Sequence, residues 1–133
     1  MSHKLPLRVL LVEDSSLLAE RLSELIRRLP EVDLIDTVDT EALALAQIGT
    51  AGPDVVILDL HLRSGSGFGV LRSIARTGHR PKIIILTNFG LPEYRRVAEA
   101  FGVEAFLDKS SDYYRLPSVL RDFAKERAKN DAP

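Results

Sequence analysis

Five apolar runs punctuate the chain, and between them apolar residues recur at three- and four-residue steps. Leu7 to Val12, Val32 to Asp36, Val55 to Asp59, Lys82 to Thr87 and Glu104 to Leu107 read as short strands. The middle runs are apolar at consecutive positions, as strands covered on both faces are. Leu18, Leu22, Leu25, Ile26 and Leu29 keep helical spacing. So do Leu43, Ala46 and Gln47 less clearly, then Val70, Leu71 and Ile74, then Tyr94, Val97, Ala98 and Phe101, and last Leu116, Val119, Leu120 and Phe123. Gly52-Pro53 and the stretch from Gly78 to Pro81 precede the third and fourth strands, and Gly102 follows the fourth helix. Pro92 and Pro117 stand where first-turn prolines are tolerated. Five β-α units predict an α/β fold, a doubly wound five-stranded parallel sheet with helices on both faces, because crossovers are right-handed and each strand must be covered.

Size and charge narrow the picture. A chain of 133 residues fits one domain, 1–133. Its core is expected over about 7–124, with a polar tail, about 125–133, that frays from the ending AKERAKNDAP. Eighteen Lys and Arg against nineteen Asp and Glu leave a net charge of −1, so no overall field draws the chain onto nucleic acid or an anionic bilayer. Direct nucleic-acid binding and membrane insertion are not expected. The absence of cysteine removes disulfides, thiolate nucleophiles and Cys-based zinc sites. The N-terminus MSHKLPLRVL lacks the apolar stretch of a signal peptide, so a cytoplasmic location is expected.

In open parallel sheets ligands bind beyond the carboxyl ends of the strands. Here those ends read Val12-Glu13-Asp14, Leu58-Asp59, Leu86-Thr87-Asn88 and Leu107-Asp108-Lys109. Carboxylates, a hydroxyl and an ammonium far apart in sequence thus converge at one edge. Glu13, Asp14 and Asp59 would raise one another's pKa values unless a cation sat among them, and oxygen ligation suits Mg²⁺. With a metal in place a carboxylate oxygen can attack a phosphoryl group, since that transfer asks the protein mainly for positioning and positive charge.

These motifs resemble the receiver domains of two-component response regulators. LLVEDSSLL is similar to the acidic pair that opens the first helix, and VVILDLHLRSGSG to the phosphoacceptor strand with its following glycine. IIILTN is similar to the switch-hydroxyl strand, and AFLDKS to the aromatic and lysine of the fifth strand. The resemblance spans roughly Leu7 to Ala124 and implies a flavodoxin-like (CheY-like) three-layer sandwich of strand order 2-1-3-4-5. It implies that Asp59 is phosphorylated by a histidine kinase or histidine phosphotransfer protein. Glu13, Asp14, Asp59 and the backbone carbonyl of His61 are expected to hold Mg²⁺ or Mn²⁺, and Thr87 and Lys109 to bind the phosphoryl oxygens. Phe106 is the expected rotating aromatic, and Asn88 stands where it would restrict water. Leu17 and Leu18 on the first helix are expected to dock the phosphodonor, and Tyr94 and Tyr114 to border an output surface. The implied protein is a stand-alone receiver, a monomer or phosphorylation-dependent dimer, signalling to another protein or along a relay.

Three positions depart from the family pattern: Arg63 and Ser110 each stand where proline is usual, and Asn88 where a small residue is common. A cis bond before Ser110 costs roughly 3 kcal/mol, so either the site holds that strain or the loop runs differently. Each acid alone reads as readily as a helix cap or turn residue, and Lys109 as a solvated lysine. The combination is what carries the reading. A pseudo-receiver that works as an interaction module without phosphate would be expected to lack Asp59, Lys109 or the acidic pair, and none is missing. A flavodoxin-like cofactor carrier is disfavoured, because three acids would repel a ligand phosphate. Gly65, Gly67 and Gly69 lack dinucleotide-loop spacing and read as loop and helix-start flexibility. His3, His61 and His79 lack metal-ligand spacing and read as surface residues.

Overall fold

The computed structural model describes residues 5–77, 80–88 and 90–130; His3 and His79 lie outside them. Five strands, β1 (Leu7–Val12), β2 (Val32–Val38), β3 (Val55–Leu58), β4 (Lys82–Thr87) and β5 (Ala105–Asp108), form one parallel sheet in the order β2-β1-β3-β4-β5. The helices α1 (Ser16–Arg27), α2 (Glu41–Ala51), α3 (Gly67–Ala75), α4 (Pro92–Ala100) and α5 (Leu116–Asn130) connect and flank them, with a 3-10 turn at Tyr113–Arg115 leading into α5.

Strand alternation divides the core into two layers. Leu7, Val9, Leu11, Ile57, Ile84 and Leu86 face α1 and α5, meeting Leu22, Ile26, Leu116, Leu120 and Phe123. Leu10, Val12, Val56, Leu58, Ile83 and Ile85 face the other three helices, meeting Ala44, Val70, Leu71, Ile74 and Ala98. Consecutive apolar residues in β3 and β4 follow from this double covering.

β2 is longer than its apolar run suggests because its alternation changes phase. Val9 pairs with Leu34 and Leu10 with Asp36, which leaves Ile35 as a bulge residue. Val32 and Leu34 therefore pack toward α1, whereas Ile35 and Val38 pack toward α2. Thr37 reaches Ser23 of α1, and Asp36 accepts from Gln47 of α2. One inserted residue thus turns the strand's second half over.

Residues 125–130 of the expected polar tail are helical, since α5 continues to Asn130, and the rest of that tail lies outside the described residues. Arg127 donates to the Pro6 carbonyl and to Asp54, and Asp54 also accepts the Arg8 N–H at 2.8 Å. The Arg8 guanidinium donates to the Ala51 and Gly52 carbonyls at the end of α2, where a cation meets the negative end of the helix dipole. Gly52 itself, at φ 57°, takes the left-handed conformation that closes the helix.

The glycines around α3 are packing residues. A Cβ on Gly67 would strike the backbone carbonyl of Asp59, and one on Gly69 would strike the Glu41 carboxylate. That carboxylate accepts the Ser66 N–H at 3.0 Å, while Ser66 caps α3 through Gly69. The β3–α3 loop is further joined to the start of α2 by the Glu41 N–H to Ser64 bond and by Arg63, whose guanidinium pairs with Asp39 at 2.9 Å. Arg63 therefore supplies an ion pair where the family has a ring.

Candidate functional site

The carboxyl ends of β1, β3 and β5 bring Glu13, Asp59 and Lys109 together. Lys109 Nζ donates to Asp59 Oδ2 at 2.7 Å and lies 2.8 Å from Glu13 Oε1. Asp59 is 3% exposed and Glu13 2% exposed. Asp59 Oδ1 also accepts the His61 N–H at 3.2 Å, and Glu13 Oε2 accepts the Ser15 N–H at 3.0 Å where α1 begins. Asp14, exposed beside them, completes a group in which one carboxylate oxygen from each acid lies within 4.8 Å of the others.

Two buried carboxylates sharing one ammonium leave a deficit of positive charge. Burial raises the Glu13 carboxyl from an ordinary 4.5 to about 7, although its bonds to Lys109 and Ser15 pull the other way. Burial likewise raises Asp59 against the bonds from Lys109 and His61, with the Asp14 charge adding to the rise. Burial pulls the Lys109 ammonium down, but its bonds to Asp59 and Glu13 outweigh that and leave it above its ordinary value. A second cation suits this donor set. Glu13, Asp14 and Asp59 offer oxygen ligands of the kind a hard divalent ion takes.

Thr87 closes β4 with its side chain buried, and its carbonyl accepts the Lys109 N–H at 3.0 Å. Asn88 follows on the surface. Phe106 is buried, and the Arg95 guanidinium lies 4.5 Å from its ring centroid. Tyr94 sets its ring 5.6 Å from Phe68 and 6.2 Å from His61, so α4 reaches the β3–α3 loop through one residue and β5 through the next. α4 has no side-chain cap and buries only Ala98 among its described residues. Tyr114 is 68% exposed in the 3-10 turn. Leu17 is exposed, while Leu18 packs partly against the core.

Sequence reasoning missed Arg95, Glu41, Asp108 and Asp112. The only available signals were a basic residue one turn into the fourth helix and an acid on each side of a serine pair. The unusual bond before Ser110 follows the second of the two paths, for no described peptide bond is cis.

The chain matches the sequence model of the response regulator receiver domain over residues 9–121. It is 33% identical over 119 residues to the transcriptional regulatory protein CitB of Klebsiella pneumoniae, covering 90% of this chain and 51% of that protein. To the sensory transduction protein LytT of Bacillus cereus it is 28% identical over 123 residues, 91% of this chain and 48% of that one. The chain thus spans about half the length of these relatives. A solved signal receiver domain, of a protein named as a Luxo repressor from Vibrio parahaemolyticus, superposes with a TM-score of 0.83 at 30% identity, covering 97% of this chain and all of that one. With the strand order, the acidic cluster and the lysine at the sheet's edge, the chain belongs to the receiver-domain family of two-component response regulators.

Proposed function

We propose that Asp59 accepts a phosphoryl group from a histidine kinase or histidine phosphotransfer protein. The observation that carries this reading is the buried Asp59 carboxylate, bonded to Lys109 at 2.7 Å beside two further acids. One Asp59 oxygen forms the new O–P bond as the donor's N–P bond breaks, and the released imidazole takes a proton from water. Glu13, Asp14, Asp59 and the His61 carbonyl would hold Mg²⁺ or Mn²⁺. When bound, that ion supplies positive charge against the phosphoryl oxygens. Lys109 turns from the carboxylates to those oxygens, and Thr87 donates a hydrogen bond.

The inward movement of Thr87 vacates space that Phe106 can fill, so phosphate biases two side-chain arrangements. In this reading Leu17 and Leu18 dock the donor, Asn88 restricts water, and Tyr94 and Tyr114 border the surface that a downstream protein reads. Output is phosphorylation-dependent contact with that protein or passage of the group along a relay.

Intact mass after incubation with acetyl phosphate and Mg²⁺ tests the central claim. One added phosphoryl group is expected, and none in Asp59→Asn. Labelling that persists in that variant would place the acceptor elsewhere.

A further inference from the structure

The β5–α5 loop lacks the proline usual after the lysine, and two acids organise it instead. Asp108 Oδ1 accepts from the Ser110 N–H at 2.8 Å, the Ser110 hydroxyl at 2.6 Å and the Ser111 N–H at 3.2 Å. The Asp108 N–H donates to Asp112 Oδ2 at 3.1 Å, and the Asp112 N–H donates back to the Asp108 carbonyl at 2.8 Å. The Ser110 hydroxyl first, then the Ser110 and Ser111 amides, hold the Asp108 carboxyl below its ordinary value.

Lys109 lies between this ring of bonds and the sheet. Its N–H is bound to the Thr87 carbonyl, so β4 fixes the residue from one side. The Asp108 carboxylate gathers the next two amides and fixes it from the other. Lys109 Nζ must then serve Asp59 and Glu13 at once, at 2.7 and 2.8 Å, a placement that tolerates little drift of the backbone. The carboxylate is partly exposed and bonds neither Asp59 nor Glu13, so an effect on the reaction is indirect, and Lys109 is the neighbour in sequence that reaches both acids.

We propose that Asp108 is a positioning residue for the phosphoryl transfer: its carboxylate shapes the turn after β5 in place of the missing proline and so aims the Lys109 ammonium. This rests on the phosphoacceptor reading above. It also separates a working turn from an ordinary one, because a turn that only stabilises the loop leaves the reaction rate alone.

The test is the rate constant for labelling by acetyl phosphate at saturating Mg²⁺, read by intact mass, with folding checked by thermal melts. Asp108→Ala is expected to label about tenfold more slowly, the scale of loss that sub-ångström misplacement of a reacting group produces. Asp108→Asn should stay near the native rate, since its amide oxygen can accept the same bonds. Ser110→Ala, which removes only the hydroxyl bond, should fall between native and Asp108→Ala, and it keeps the question open to measurement if Asp108→Ala folds poorly. In a Lys109→Ala background the Asp108→Ala change should cost nothing further, the non-additivity of two residues acting through one group. The Mg²⁺ concentration at half-maximal effect should not move. Native-rate labelling in both Asp108→Ala and Ser110→Ala overturns the inference, as does a full additional loss in the Lys109→Ala background. A native protein that takes no label removes the phosphoacceptor reading, and this inference with it, by a distinct signature.

Discussion

The Glu13 carboxyl, raised from 4.5 to about 7 by burial, makes the fold's stability depend on pH in a direction opposite to that of most acidic residues. The folded state keeps a proton on Glu13 through a range in which the unfolded chain has lost it. The stability this confers is complete below about pH 4.5 and is lost as pH rises through about 7. A span of about 2.5 pH units at roughly 1.4 kcal/mol each gives about 3.5 kcal/mol as a ceiling. Asp59, also raised, acts with the same sign, whereas Lys109 stays charged throughout and adds no slope. Urea unfolding at pH 5.5 and pH 8, with and without Mg²⁺, measures the effect. Other acids contribute their own slopes, so the quantity to read is the difference between native protein and Glu13→Gln. Without metal, Glu13→Gln should gain relative to native on going to pH 8. Mg²⁺ should stabilise the native protein more at pH 8 than at pH 5.5, because protons and metal compete for the same oxygens, and should stabilise the variant less than native at pH 8. Parallel pH profiles for the two proteins would refute the assignment of the proton to Glu13.

Arg95→Gln removes the cation from the Phe106 ring, a loss of about 0.5–1 kcal/mol, and amide resonances of the unphosphorylated variant should move toward their positions in the beryllofluoride-bound native protein; unmoved resonances would deny Arg95 a share in holding the ring. Gly67→Ala should destabilise by about 2–3 kcal/mol, since its Cβ meets backbone, and Gly69→Ala by less, since it meets the end of the Glu41 side chain; chemical denaturation reads the order, and its reversal would refute the contacts. Leu18→Asp should slow transfer from a protein phosphodonor while leaving acetyl phosphate labelling near native, and equal loss of both would point to damage to the fold.

The elements of this chain were legible where local pattern and tertiary environment agree. β3 and β4 read correctly because double burial makes them apolar at consecutive positions. That Asp59, Glu13, Asp14 and Lys109 lie together was legible because each stands within two residues of the end of such a run, so a topology that aligns strand ends also gathers the residues behind them. The second half of β2 was cut short because a bulge at Ile35 changes the phase of alternation, and no local rule announces a bulge. The helical stretch at 125–130 had no local signal because its anchor joins Arg127 to Asp54, 73 residues away, leaving only a polar stretch in the local sequence. Arg95 and Asp108 escaped for a related reason: a charged residue on a helix or loop looks solvated until the fold supplies the ring or the amides it meets.

The bulge in β2 has a further consequence, for how copies of this chain can meet. An edge strand exposes backbone donors and acceptors to which another chain can add by pairing. Here that edge bends midway at Ile35 and carries Asp33 exposed on its first half, so a second strand could not continue in register along it. At the opposite margin β5 offers four residues, the last of which is Asp108, drawn into its own turn. Both margins of the sheet therefore resist strand addition.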